Sequence, residues 1–187
     1  MRPNLNIVVG STRPGRLGPT IGKWCHNFAR EHDKFEVELV DLREFRLPLL
    51  DEGSHPRLQQ YEHETTRKWS ESVASADAYV FVTPEYDYFP PASLVNAVQV
   101  LLREWSYKCA GIVSYGGISG GLRSTQVLRQ LLGNVNVHAL PQTVPMPNFN
   151  QFIDQHGTFQ PSQPIQDGMR VMLDELAKWA NALKPLR

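Results

Sequence analysis

At 187 residues with 41% hydrophobic content, the chain is long enough for one well-cored domain and short for two. Its 19 basic and 19 acidic residues cancel, which removes any global electrostatic case for nucleic acid or an anionic membrane. No apolar run approaches the roughly 18 residues that cross a bilayer, and Met1-Arg2-Pro3-Asn4 passes into a short apolar segment without the cleavage site of a secretory signal.

In chain order, strands and helices alternate. Leu5 to Val9 is a short apolar run stopped by Gly10, and Ile21, Trp24, Cys25, Phe28 and Ala29 then share one helical face. Phe35, Val37 and Leu39 alternate with Glu36 and Glu38, a strand with one wet face. Glu62, His63, Glu64, Arg67 and Lys68 read as a solvated helix face, because Arg67 stands where an H-E-x-x-H metal motif needs its second histidine. Tyr79 to Val82 is continuously apolar. Leu94, Ala97, Val98, Leu101 and Leu102 mark a helix begun by Pro90-Pro91, closed by Trp105 and Tyr107 in what reads as ordinary packing. Ala110, Ile112 and Val113 form another apolar strand, and Leu128, Leu131 and Leu132 a helix with Gly133 as its stop. Val135, Val137 and Ala139 alternate with Asn136 and His138. Leu140 to Gln166 reads as an irregular excursion, and a last helix carries Met169, Met172, Leu173, Leu176, Ala180 and Leu183.

Five strands separated by helices imply a mostly parallel sheet covered on both faces. Continuously apolar strands belong at its centre and alternating ones at its edges. The order 2-1-3-4-5 satisfies this, and it is the flavodoxin-like doubly wound α/β arrangement. Ligands in such sheets bind beyond the carboxyl ends of the strands, here at the loops after strands one, three and four. Cys25 and Cys109 lie far apart in apolar surroundings, which favours two buried thiols in a reducing cytoplasm over a disulfide.

Loop one, Gly10-Ser11-Thr12-Arg13-Pro14-Gly15-Arg16, joins an apolar strand to an amphipathic helix. Its backbone N–H groups, hydroxyls and two arginines suit a terminal phosphate; a plain turn with solvated arginines is the alternative. A Walker motif fails, because Arg16 and Leu17 stand where Lys and Ser/Thr are required, and Thr12 breaks the dinucleotide pattern G-x-G-x-x-G. Loop two, Thr83 to Pro91, sets Glu85, Tyr86, Asp87, Tyr88 and Phe89 between prolines. Such a rigid turn suits a flat heteroaromatic ring, although its aromatics are equally suited to packing on a core or a neighbouring subunit.

Gly10-Ser11-Thr12-Arg13…Arg16, then Pro84-Glu85-Tyr86-Asp87…Pro90…Leu94…Asn96-Ala97, then Ser114-Tyr115-Gly116…Gly120-Gly121 resemble the NAD(P)H-dependent FMN reductases, a family that includes chromate, quinone and azo reductases. The resemblance runs from about Asn6 to about Val137. It implies an FMN phosphate held by Ser11, Arg13 and Arg16, and a ring against Pro84, Glu85, Tyr86 and Asp87, with Ser114, Gly116 and Gly117 at its other edge. It further implies NADPH or NADH as donor and a homodimer or homotetramer with the flavin near a subunit boundary. The chain departs from the family at Asp87, where Asn is usual, and at Val95, where Lys is usual. A carboxylate at 87 near the ring lowers its reduction potential by like-charge repulsion; a turn-forming Asp facing solvent is the alternative.

Loop three, Ser114 to Gly121, carries four glycines and lets backbone approach a ligand edge, unless it is a plain flexible turn. Gly117-Ile118-Ser119-Gly120-Gly121 also matches the G-x-S-x-G elbow of serine hydrolases. Ser114-Tyr115-Gly116 separates that match from the strand, and Asp154 with His156 is the only acid–histidine pairing that follows.

The resulting expectation is a single-domain FMN enzyme that passes hydride or electrons from NAD(P)H to a quinone, free flavin, azo compound or metal oxyanion, the cofactor carrying the chemistry without a catalytic side chain or metal. An electron carrier of the flavodoxin type tends to be strongly acidic, unlike this neutral chain; a flavin-binding module without turnover is the third class. Arg123, Arg129 and Lys108 are the cations considered for an adenosine 2′-phosphate.

Overall fold

A computed structural model describes residues 2–187. Strands β1 (Asn4–Val9), β2 (Glu36–Asp41), β3 (Ala78–Pro84), β4 (Lys108–Tyr115) and β5 (Val137–Met146) form one sheet in the order β2-β1-β3-β4-β5. Every neighbouring pair is parallel. As the hydrophobic pattern requires, β3 and β4 are buried along their whole length, while β2 and β5 at the edges are only partly covered.

The sheet is covered on both faces by α1 (Gly18–His32), α2 (Leu42–Phe45), α3 (Glu64–Ser75), α4 (Ala92–Gln99), α5 (Leu122–Asn134) and α6 (Gln163–Leu183). Alternation along β3 divides the core. Ala78, Val80 and Val82 pack with Ile21 and Cys25 of α1 and Met172 and Leu176 of α6. Tyr79 and Phe81 pack on the other side with Trp69 of α3, Leu94 and Val98 of α4 and Leu128 of α5. Cys25 and Cys109 are both buried free thiols.

Three local readings change. The fifth strand does not end near Ala139 but runs to Met146, and its register against β4 jumps from Ala110↔Ala139 to Ile112↔Thr143. Pro141 lacks an N–H for the ladder, and an edge strand absorbs the resulting irregularity. Gly133 is not a helix stop: α5 passes through it, and Asn136 at φ 60° makes the left-handed turn instead. Leu101 and Leu102 lie beyond α4, which ends at Gln99. Trp105 then falls in a short 3-10 turn, fully buried, its indole N–H donating to Val98 O at 3.1 Å. Tyr107 precedes β4 and so sits at the opposite end of the sheet from loops one to three.

Candidate functional site

The carboxyl ends of β1, β3 and β4 are neighbours, so loops one, two and three emerge side by side. Gly10 N–H donates to Val82 O at 3.0 Å, and Glu85 N–H donates to Tyr115 O at 3.1 Å, which stitches the strand ends together. Loop one passes close to α4: a Cβ on Gly10 would lie 2.9 Å from Leu94 Cδ2, and Ser93 Oγ donates to Gly10 O at 2.7 Å. Loops one and two also meet directly, Ser11 Oγ and Tyr86 Oη sharing a 2.9 Å hydrogen bond.

The two arginines of loop one have different surroundings. Arg16 is bound end-on to Asp41, at 2.7 and 2.6 Å, and donates to Ser11 O as well. Its side chain is 8% exposed and that of Asp41 19%. Arg13 is exposed and forms no ion pair among the described residues. The strand register explains Asp41, which lies opposite Val9 at the end of β2 and therefore directly beside loop one. Asp41 was not read from the sequence; extending the alternation of the second strand by two residues would have found it.

Loop two is a tight turn. Tyr86 and Phe89 exchange both backbone hydrogen bonds, at 2.9 and 3.0 Å. Asp87 and Tyr88 between them have φ 48° and 76°, the double left-handed geometry of a type I′ turn. Asp87 tolerates this region; a bulky Tyr there is strained. The Arg123 guanidinium lies 4.2 Å over the Tyr88 ring and clamps it. Pro84 ends β3, buried, and Asp87 is exposed.

The Glu85 carboxylate turns towards the start of α5. It accepts from Arg123 N–H at 3.1 Å, from Ser124 N–H at 3.4 Å and from the Arg123 guanidinium at 3.1 Å. It thereby caps α5, whose own N-cap, Gly121, has no side chain. Burial opposes ionisation of Glu85, but hydrogen bonds from Ser119, Ser124 and Arg123 outweigh it and hold the carboxyl below its ordinary range.

Loop three is held from both sides. Ser114 is buried, and its Oγ donates to Gly120 O at 2.8 Å, so the hydroxyl braces the loop from within. Gly121, at φ 82°, leaves no room for a Cβ, which would lie 2.7 Å from Ser114 Cβ. Gly117 is exposed, with nothing within 4 Å of where a Cβ would stand, and Gly116 lies beside Glu85. The hydrolase alternative has no geometry. Ser119 Oγ accepts from Gly121 N–H, and Asp154 is occupied by the N–H groups of His156 and Thr158.

Whether these residues fit a phosphorylated cofactor turns on what they leave unpaired. The Tyr115 hydroxyl is buried without a hydrogen-bond partner among the described residues, and a Cβ on Gly18, at the start of α1, would lie 2.9 Å from it. Burial raises the Tyr115 pKa and neighbouring Tyr86 adds to this, while Arg16 opposes it. The hydroxyl is therefore a neutral donor beside loop one. With the free Arg13 cation and the open backbone at Gly117, it provides donors that a phosphate and a ring edge would satisfy. The residues fit the group.

The fold is that of a doubly wound flavodoxin-like protein, and its loops after β1, β3 and β4 meet at one edge of the sheet. Residues 3–151 match the NADPH-dependent FMN reductase family, and the chain belongs to it. It is an FMN-dependent NAD(P)H oxidoreductase. It is 38% identical over 141 residues to an NAD(P)H-dependent FMN reductase of Schizosaccharomyces pombe, covering 74% of this chain and 70% of the relative. A Saccharomyces cerevisiae protein of the same description is 32% identical over 162 residues, covering 76% and 84%. Among solved structures, FerB, a flavoenzyme NAD(P)H:(acceptor) oxidoreductase from Paracoccus denitrificans, superposes with TM-score 0.73 at 18% identity, over 96% of this chain and 98% of that one.

Proposed function

We propose that this chain is a single FMN-binding domain over residues 1–187 that oxidises NAD(P)H and reduces a small molecule: a quinone, free flavin, azo compound or metal oxyanion. The observation that carries the reading is the meeting of loops one, two and three, joined by the Ser11–Tyr86 bond and the Glu85 cap, with an unpaired arginine in loop one. Bound FMN supplies the chemistry, accepting hydride and giving up electrons, so no side chain has to act as acid or base.

The work of the protein is binding and orientation. Arg13, Ser11 and the loop-one N–H groups hold the phosphate, and Arg16, anchored on Asp41, fixes the shape of the loop. Pro84, Tyr86 and the backbones of Glu85, Gly116 and Gly117 face the ring, with Asp87 at its rim. Ser114 holds the glycine loop in place. Tyr88, Phe89, Ile118 and Leu122 are exposed beside these loops. Such apolar surface suits exclusion of water by a second subunit, in a homodimer or homotetramer. No helix among the described residues is long and apolar enough to cross a membrane, and a cytoplasmic location accords with two buried, unpaired thiols.

The test is an absorbance spectrum of the purified chain saturated with FMN, followed by anaerobic titration with NADPH and with NADH. Bleaching of the flavin band by a stoichiometric donor is expected. A protein that stays colourless with excess FMN overturns the reading.

A further inference from the structure

Beside loop one, on the side away from α1, lies a cavity of about 150 Å³ lined by Thr12, Arg43, Arg46, Ser93 and Asn96, among others. Arg43 belongs to α2, and Arg46 caps that helix at φ 49°, while Ser93 and Asn96 come from α4. No carboxylate lines the cavity. Glu44, between the two arginines in sequence, is exposed and does not line the cavity; Asp41 is occupied by Arg16 and by Arg43 N–H, and Arg43 and Arg46 form no ion pair among the described residues.

The walls are fixed. Asn96 accepts from Leu50 N–H at 3.0 Å and donates to Pro48 O at 2.7 Å, and Ser93 is bonded to Gly10 O. The Thr12 hydroxyl makes no hydrogen bond among the described residues. Two free guanidinium groups and a hydroxyl around so small a space match a phosphate monoester dianion.

The cations considered from the sequence for an adenosine 2′-phosphate are occupied elsewhere. Arg123 is held by Glu85 and Tyr88, and Arg129 by the carbonyls of Leu140 and Pro141. Lys108 caps the last turn of α3 at the far end of the sheet, donating to Val73 O, Ala74 O and Tyr79 Oη. Arg13 serves the FMN phosphate within the same loop. We infer that the Thr12–Arg43–Arg46–Ser93 cavity receives the 2′-phosphate of NADPH and makes the enzyme prefer it over NADH, a step that rests on the FMN and NAD(P)H reading above.

The experiment compares the wild type with the double variant Arg43→Gln/Arg46→Gln. Both side chains are exposed, so the fold should be retained. The ratio of kcat/KM for NADPH to that for NADH is expected to fall at least about tenfold, with the NADH value itself held within about twofold. The affinity ratio of FMN to riboflavin should not change. An unchanged NADPH/NADH ratio overturns the inference; a fall in the FMN/riboflavin ratio assigns the cavity to the flavin's phosphate and overturns it equally.

Calorimetric titration with adenosine 2′,5′-bisphosphate and with adenosine 5′-monophosphate is independent of turnover. The bisphosphate should bind the wild type more tightly and lose that advantage in the variant. Equal binding of the two nucleotides to the wild type counts against the site. If neither dinucleotide reduces the flavin, the donor reading fails, and this titration still decides the cavity.

Discussion

A guanidinium in a phosphate loop can bind the ligand or hold the loop, and at Arg13 and Arg16 burial separates the two roles. Arg16 and Asp41 are mostly withdrawn from solvent, so removing one charge strands the other. Asp41→Asn is expected to lower unfolding stability by about 3 kcal/mol, measured by urea denaturation. Arg13→Ala should leave the unfolding free energy within about 0.5 kcal/mol of wild type and weaken FMN at least about tenfold. Riboflavin, lacking the phosphate, should bind the Arg13 variant as before. Equal losses for FMN and riboflavin would place the phosphate elsewhere. In the sequence both arginines carry the same expectation of phosphate binding, because the carboxylate that engages Arg16 comes from another strand.

Asp87 allows a cleaner residue-scale test. It is exposed and sits at φ 48°, a region that Asn adopts as readily. Asp87→Asn therefore keeps the turn and removes only the charge. If the carboxylate faces the ring, the midpoint potential of bound FMN should rise in a redox titration. No rise would mean that the carboxylate points into solvent.

At the scale of elements, α5 depends on a group that is not its own. Its N-cap is Gly121, and the acceptor for its first N–H groups is Glu85 across the site. The carboxyl titrates below the ordinary 4.5 in the folded chain. A depressed acid pKa contributes stability above the unfolded value and loses it as pH falls through the folded one. Wild-type stability should therefore decline below about pH 4.5, and Glu85→Gln, less stable by about 1 kcal/mol at neutral pH, should show a flatter acid limb. Matching slopes, followed by thermal melts between pH 3 and 7, would remove Glu85 from this role. The helix itself was legible from Leu128, Leu131 and Leu132, but its cap was not, since Gly121 shows nothing and the capping group is 36 residues away. The extension of β5 to Met146 was hidden for a similar reason. Pro141 and Pro145 break the strand signal, and only pairing with β4 reveals that the edge tolerates them.

For the molecule as a whole, the strand order was readable because burial on both faces leaves a continuous apolar run and burial on one face leaves alternation. That rule placed β3 and β4 inside and β2 and β5 outside, and the topology then fixed which three loops meet. The same topology bears on kinetics. Two cavities larger than the one beside loop one, about 520 Å³ around Lys108 and Arg187 and about 390 Å³ between Leu50 and Leu131, involve the start of β4 and the end of α5. They are thus at the end of the sheet remote from loops one, two and three, out of reach of a cofactor held there. A donor and an acceptor that share one approach to the ring use it in turn, which favours departure of the oxidised nucleotide before the acceptor enters. Initial rates measured across both substrates should give parallel double-reciprocal lines, with NADP⁺ competing against the acceptor. Lines that intersect would require both substrates to be bound together and would overturn the shared approach.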